Sequence, residues 1–454
     1  LTSALSSLLA RFADRPRTTV GVVGLGYVGL PLVRAMHDAG FGVLGYDIDQ
    51  SKIDLLRAGK GYLHHLGDEL FATLAASPRF AATTDARELA RCDAVCVCVP
   101  TPLGKHNDPD LSYVFGSMAL VAQALAARKR HARDQDQHAP MLVSLESTTY
   151  PGTTREVMDT IFTPAGLVLG TDYFLCFSPE REDPGRAGVA TSTIPRVLGG
   201  VDDASTQAGV ALYSAAVRSV VPVRSADVAE ASKLLENIYR SVNIALVNEL
   251  KPVFMSMGID IWEVLDAAST KPFGFQRFSP GPGLGGHCIP IDPYYLTWKA
   301  REFGHATRFI ELAGEINSTM PAFVVSRVRA ALNDDAKPMR GSRVLVLGIA
   351  YKPNIDDIRE TPAAEIITLL QEDGASVSYH DPHVPRFPSM RKFAIDLASV
   401  PLTPRALQEA DCVVIVTDHD AIDWTLVGTH ARLVVDSRNA MARAASPRAR
   451  IVKA

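Results

Sequence analysis

"TTVGVVGLGYVGLPLVRAMHDAGFGVLGYDID", residues 18–49, carries the turn around which the first half of the chain is organised. Val20–Val23 is a short apolar run, as in a buried parallel strand. Gly24-x-Gly26-x-x-Gly29 follows, Leu30–Ala39 has helical spacing, and Gly42–Tyr46 reads as the next strand. Strand, glycine turn, helix and strand together point to a dinucleotide site. The first glycine permits the tight turn, the second lets the backbone approach a pyrophosphate, and the third lets helix and strand pack closely. The pyrophosphate then meets the positive end of the helix. Asp47, 23 residues after Gly24, ends the second strand. Its carboxylate would accept a hydrogen bond from a ribose 2′-hydroxyl and repel a 2′-phosphate, which favours NAD over NADP. Asp49 competes but lies further into the loop, and Lys52 either reaches the ribose and phosphates or is a solvated helix residue.

Further apolar runs follow in "CDAVCVCVPTP", "PMLVSLEST" and "DYFLCFSPE". Strands alternating with helices predict a doubly wound parallel sheet. The polar stretch "RKRHARDQDQH", residues 128–138, reads as a surface loop. From Ala226 to about Met257 the apolar residues Val228, Leu234, Leu235, Ile238, Val242, Ala245, Leu246 and Leu250 keep helical spacing. That is a helix of roughly eight turns, suited to a spine between domains, to a dimer interface, or to an ordinary core position. After "NDDAKPMRG", a linker, a second alternating region runs from "SRVLVLGIAYKP" to "ARLVVDSRN" without the full glycine fingerprint. The fold class is therefore α/β: two Rossmann-like, doubly wound parallel-sheet domains joined by a helical central domain with a long spine helix. The boundaries are read as 1–205, 206–330 and 331–454.

Composition narrows the function. The chain of 454 residues has net charge −4, which offers no general attraction to nucleic acid. No apolar run approaches the roughly 18 residues of a membrane span, and the N-terminal stretch is too polar for a signal peptide. There, Leu5, Leu8, Leu9 and Phe12 have the spacing of a short docking helix. The six cysteines match neither a metal site nor a disulfide framework, so no metal is expected and a reducing, cytoplasmic compartment is. Cys96 and Cys98 alternate in a strand and read as small core residues.

Cys288 differs. It stands in "SPGPGLGGHCIPIDP", residues 279–293, with four glycines, four prolines and Asp292 four residues on. In an NAD enzyme such a thiol has a defined use. Its thiolate adds to an aldehyde, the thiohemiacetal is oxidised to a thioester, and water releases an acid. The glycines would make room for the reacting carbon. The chemistry also needs a donor for the oxyanion and a base. Lys233 and Asn237, in "EASKLLEN", lie one helical turn apart and are candidates, or else are the wet side of the long helix.

In order, "GVVGLGYVGLP", "VPTP", "EST", "SPE", "EASKLLENIYRSVNIALVNEL", "GPGLGGHC" and "YKPNIDDIRETPA" resemble the UDP-glucose/GDP-mannose dehydrogenase family over residues from about 18 to about 440. The resemblance implies an NAD-binding domain, a central dimerisation domain and a UDP-sugar domain, and oxidation of a nucleotide sugar's 6-hydroxymethyl group to a carboxylate. It implies Cys288 as nucleophile, Lys233 and Asn237 as oxyanion donors, and Asp292 as acid/base or water-organising group. Thr148 and Glu180 would position or activate water, and Glu180 would also line the sugar site. Tyr27, Val28, Asp47, Lys52, Thr101, Thr148 and Arg359 match cofactor positions. Arg277, Phe278, Ser279, Pro280, Gly281, Gly285 and Lys352 match substrate positions.

The chain departs from UDP-glucose dehydrogenases at Ile291, where they carry lysine, at "STTYPGTT", and at "REDPG" after "SPE". There the position of a second family glutamate is Pro184, with Glu182 only a neighbour. With His287 and "PIDPYYLTWKA", these departures resemble the branch acting on UDP-N-acetylhexosamines for surface polysaccharides such as O-antigen or capsule. UDP-N-acetylglucosamine is the first expectation, and UDP-N-acetylgalactosamine, UDP-N-acetylmannosamine or UDP-glucose are alternatives. His287 is either a modulator of Cys288 or a plain loop residue. A homodimer or higher homo-oligomer is expected, with neither nucleic acid nor membrane insertion. Two other classes remain open: a two-electron hydroxyacid dehydrogenase, which needs neither the cysteine loop nor a second α/β domain, and a non-catalytic NAD-binding protein.

Overall fold

The computed structural model describes residues 3–63, 66–135, 139–181, 191–388, 390 and 392–454. The chain divides into two compact units, Leu1–Glu236 with Tyr294–His305, and Asn237–Pro293 with Ala306–Ala454. Each unit holds one of the two α/β regions, and the helical middle read as 206–330 is shared between them.

In the first unit the described strands are β1 (Thr19–Val23), β2 (Gly42–Tyr46), β3 (Phe80–Thr83), β4 (Ala94–Val97), β5 (Met141–Leu145), β6 (Tyr173–Phe177), β7 (Arg196–Gly200) and β8 (Val220–Pro222). They form one sheet in the order β3-β2-β1-β4-β5-β6-β7-β8. All neighbours are parallel except β6 and β7. β4, β5 and β6 are buried at every position, which is why their sequences run apolar without alternation. The helix after the glycine turn spans Gly29–Asp38 and packs Leu30, Leu32, Val33 and Met36 into the sheet's core. The N-terminal helix Ser3–Ala13 adds Leu5, Leu8 and Phe12 to the same cluster, as their spacing predicts.

The stretch read as a surface loop is corrected. Residues 128–135 continue a helix, Ser112–Gln135, while 136–138 lie outside the described residues. Charged residues with long straight side chains are good helix formers, and here Arg128 and Lys129 reach back to the body. Lys129 donates to Asp172 at 2.6 Å and to the Gly166 carbonyl at 2.8 Å, and Arg128 donates to the Cys92 carbonyl.

The second unit holds β9 (Arg343–Leu347), β10 (Ser376–His380), β11 (Cys412–Ile415), β12 (Leu433–Asp436) and β13 (Arg450–Lys453), all parallel, in the order β10-β9-β11-β12-β13. Its turn after β9 repeats the one after β1. Gly24 and Gly348 both have positive φ, +91° and +75°. Each donates its N–H to the end of the neighbouring strand: Gly24 to Tyr46 at 2.8 Å, Gly348 to His380 at 2.9 Å. An aspartate then receives the next amide: Leu25 to Asp47 at 2.9 Å, Ile349 to Asp381 at 2.7 Å.

The two aspartates end differently. Asp381 also accepts from Ala350, His383 and Val384 amides and from buried His419, so its oxygens are committed to the protein. Asp47 accepts from Leu25, Asp49 and Lys52 and keeps capacity for a ligand. Among the described residues no helix is long and apolar enough to cross a membrane.

Leu8→Ala should therefore cost about 2–4 kcal/mol. Urea unfolding followed by circular dichroism checks this as a lower midpoint for the variant.

Candidate active site

The first unit carries the features of a dinucleotide site. A Cβ on Gly24 would stand 2.5 Å from the Cys98 carbonyl oxygen, and one on Gly29 would stand 1.8 Å from that of Gly24. These two glycines are required by the protein's own packing. A Cβ on Gly26 would meet nothing within 4 Å, so this position opens outward, as close approach by a pyrophosphate needs. Val28 precedes the helix Gly29–Asp38, and Tyr27 is half-buried beside it. Asp47 is buried and lies 3.1 Å from the Lys52 ammonium, which helps to hold the carboxylate in place. Asp49, the competing acid, is spent on the local helix, accepting from the Ser51 amide at 2.9 Å as N-cap of Gln50–Arg57. Ser147 ties together the two loops that carry Thr101 and Thr148. Its hydroxyl accepts from the Val99 amide at 2.9 Å and donates to the Val99 carbonyl at 2.8 Å. The donor set fits NAD.

The long helix spans Ala226–Ser256. Lys233 and Asn237 are not its wet side: they are 6 % and 5 % exposed. The solvent face instead carries apolar residues, with Leu235 at 66 % and Leu246 at 50 % exposure. Within the first unit the Lys233 ammonium lies 3.2 Å from a Glu180 carboxylate oxygen and also donates to the Glu180 carbonyl. Both side chains are largely buried, and such pairs add little stability after desolvation. What the pair provides is a cation held in a fixed place. Arg181 pairs with Glu236, one turn along the same helix face. Glu182 and Pro184 lie outside the described residues.

Within the second unit, Asn237 donates to Asp292 at 2.6 Å, and the Asp292 amide donates to the Cys288 carbonyl at 2.8 Å. Asp292 is 2 % exposed, whereas Cys288 is partly exposed and the other five cysteines are buried. Burial and then Arg359 lower the His287 pKa, which disfavours a cation next to Cys288 in the chain.

The glycines of this loop have another role than expected. Gly285 and Gly286 make room for Tyr351: a Cβ on either would stand 2.5 Å or 2.9 Å from its side chain. Gly281 makes room for Arg438. The space is filled by protein, and the glycines lock the loop rather than opening it. Gly286 N–H completes the lock by donating to the Arg359 carbonyl at 2.8 Å. Arg359 itself is paired with Asp357 at 2.6 Å. Lys352 lies over the Tyr351 ring at 5.9 Å. Arg277 bonds Ser279 and Asp266, each at 2.7 Å, Phe278 packs edge-on against Tyr239, and Pro280 is buried.

Two groups escaped the sequence reading. A cleft in the first unit is lined by Val28, Glu146, Glu180, Arg181 and Arg196 among others. At its base Glu146 and Arg196 form a buried ion pair, and the Tyr213 hydroxyl stands 2.5 Å from Glu146 and 2.8 Å from Ser144. Burial raises the Glu146 pKa, and Arg196 and Tyr213 draw it back. The only trace in sequence was an acid at the end of the apolar run "MLVSLE". Glu230, fully buried one turn before Lys233, accepts from the Gly152 and Thr154 amides at 2.7 Å and 2.9 Å and so fixes the loop that follows Thr148.

Family models agree in order with the fold: the NAD-binding domain of the UDP-glucose/GDP-mannose dehydrogenase family matches residues 18–217, its central domain 227–319 and its UDP-binding domain 345–443. The chain belongs to the UDP-glucose/GDP-mannose dehydrogenase family. It is thus an NAD-dependent nucleotide-sugar dehydrogenase. Among curated relatives in this family, a UDP-N-acetyl-D-glucosamine 6-dehydrogenase of Pseudomonas aeruginosa is 35% identical over 392 residues, 84% of this chain and 87% of the relative. An NDP-N-acetyl-D-galactosaminuronic acid dehydrogenase of Ralstonia nicotianae is 32% identical over 439 residues, 94% and 97%. The solved UDP-D-ManNAc dehydrogenase of Pyrococcus horikoshii superposes with a TM-score of 0.82 at 29% identity, covering 96% of this chain and 99% of that one.

Asp47→Ser removes the carboxylate and its repulsion of a 2′-phosphate. It should lower kcat/KM for NAD by about 10-fold or more and raise that for NADP. Steady-state kinetics with both cofactors checks this.

Proposed function

We propose that this dehydrogenase is a UDP-N-acetyl-D-glucosamine 6-dehydrogenase, oxidising the sugar's 6-hydroxymethyl group to a carboxylate in two successive two-electron steps. The observation that carries the reading is the hydrogen-bonded set Cys288–Asp292–Asn237 in a chain that also carries the glycine turn and Asp47. A two-electron hydroxyacid dehydrogenase has no use for this thiol or for β9–β13. Bound NAD supplies the electron-pair acceptor for each step.

In this reading Lys233 and Asn237 donate hydrogen bonds to the oxygen on carbon 6 as it gains negative charge. Asp292, held by Asn237, moves the proton of the alcohol or of water. The Cys288 thiolate adds to the aldehyde carbon, the thiohemiacetal is oxidised to a thioester, and water oriented by Glu180 and Thr148 cleaves it. The N-acetylhexosamine assignment is supported by Ile291 and His287 in place of the glucose-type residues, and by relatives named for three N-acetylated sugars. The galactosamine and mannosamine sugars are the competing substrates. The product would serve surface polysaccharide synthesis in the cytoplasm.

The assembly is read as a homodimer. Leu235, Tyr239, Leu246 and Val253 form an exposed apolar row on the long helix, with a seven-residue repeat from Tyr239 through Val253 and exposed Met257 just past the helix end. A second copy of the chain would cover it. Leu246→Lys should give a monomer by analytical ultracentrifugation, and an unchanged mass would remove this face from the interface.

The activity is tested by NADH formed at completion with each UDP-N-acetylhexosamine and UDP-glucose. Two equivalents per sugar are expected with UDP-N-acetylglucosamine, and one equivalent would overturn the role given to Cys288. Cys288→Ala should lower kcat for carboxylate formation by about 10³-fold or more.

A further inference from the structure

Lys251 occupies a place where a lysine is costly. It lies on the long helix three residues after Asn248, is 2 % exposed, and its ammonium makes one hydrogen bond, 3.4 Å long, to the Ser437 carbonyl. An ammonium has three donors to satisfy. Among the described residues no carboxylate pairs with it.

The charged groups around it are accounted for. From the end of β12 come Arg438 and Asp436, and from β13 comes Lys453. Asp436 is committed to the backbone, accepting from the Arg438 and Met441 amides at 2.9 Å and 2.8 Å. Lys453 is paired with Asp260, the N-cap of helix Ile261–Ser269. Asp418, which also acts on Arg438, is paired with Arg443 at 2.9 Å. Arg438 donates its Nε to the Val416 carbonyl at 3.0 Å.

Arg438 lies against the loop assigned to the substrate, and Lys251 bonds Ser437, the residue before Arg438. The Arg438 guanidinium rests on Gly281, where a Cβ would stand 2.5 Å from it. Asn248 accepts from the Gly281 amide at 2.9 Å and donates to Asn317 at 2.9 Å. Asn248 and Arg438 thus meet the loop at Gly281, and Lys251 is buried beside them without an ion-pair partner of its own among the described residues. Burial, and then the field of Arg438, push the Lys251 ammonium down to about 7.

We propose that Lys251 is a positioning residue that couples nucleotide-sugar binding to proton uptake: a diphosphate near Arg438 offsets its charge, and the buried amine takes a proton from solvent. The inference rests on the nucleotide-sugar reading above. The step forms one N–H bond and adds one positive charge, supplied by water or buffer.

The sign follows. Below about pH 7 the free protein already carries the proton and binding takes up none. Above it, uptake approaches one proton per site, and affinity falls by up to about tenfold per pH unit as pH rises.

The test is calorimetric titration of the full chain, without NAD, with UDP-N-acetylglucosamine, UDP-N-acetylgalactosamine and UDP-N-acetylmannosamine, at pH 6 and pH 8 in two buffers of different protonation enthalpy. These diesters do not themselves titrate over that range. The expected result is negligible uptake at pH 6, substantial uptake at pH 8, and none at either pH in Lys251→Met. That variant should bind more weakly than the wild type at both pH values, with the larger deficit at pH 6. Lys251→Gln provides the same reading if the methionine variant fails to fold by circular dichroism. Binding by the wild type without uptake at pH 8, or equal uptake in the variants, overturns the proposal. No binding of any of the three sugars overturns both it and the substrate reading.

Discussion

Buried polar groups must find partners, and one helix buries a whole row of them. Along Ala226–Ser256, Glu230, Lys233, Asn237, Ser241, Asn248 and Lys251 recur at spacings of three, four and seven residues, and none is more than 6 % exposed. Each lost its water on folding and costs free energy unless a hydrogen bond replaces it. Several of them therefore hold a segment remote in sequence. Glu230 holds the turn after Thr148, Lys233 holds Glu180, and Asn237 holds Asp292. The Ser241 carbonyl and Asn248 both meet Asn317, and Asn248 also holds Gly281. Lys251 is the member whose demand is least well met.

The same constraint explains why the two strand-and-turn units differ in use. Both build a tight glycine turn and aim an aspartate at the following amide. Asp381 is then surrounded by protein donors, including a histidine buried completely. Asp47 is left with fewer partners at a position where Gly26 opens outward. A shared backbone solution thus serves as a ligand site in one unit and as a structural joint in the other. The difference lies in how many donors the surrounding chain supplies to one carboxylate.

Much of the fold was legible because its signals are local. The glycine turn and apolar strands can be read within windows of ten to thirty residues, and so can the length of the spine helix, because backbone sterics and periodic burial act over that range. The reading of residues 128–135 as a loop failed because polarity was taken for irregularity, when lysine and arginine are good helix formers whose heads find distant carbonyls. The glycines around Cys288 were recognised as necessary but given the wrong neighbour. What they accommodate is Tyr351 and Arg438, distant in sequence. The Glu146–Arg196–Tyr213 cluster left almost no trace, because its members come from different strands and a helix and acquire meaning only by meeting.

The sequence by itself determined the family, the cofactor type, the order of the elements and the thiol on which the proposed chemistry turns. These depend on residue identity at fixed spacing, and chain connectivity preserves spacing whatever the rest of the protein does. Only the tertiary structure decided which face of the spine helix is inside. Hydrophobic periodicity marks Leu235 and Leu246 as candidates for burial, yet both are exposed while Lys233, Asn237 and Asn248 are buried beside Leu234, Ala245 and Val247. That inversion arises because polar side chains of this helix find partners contributed by remote loops, and a partner's position is a property of the folded chain alone.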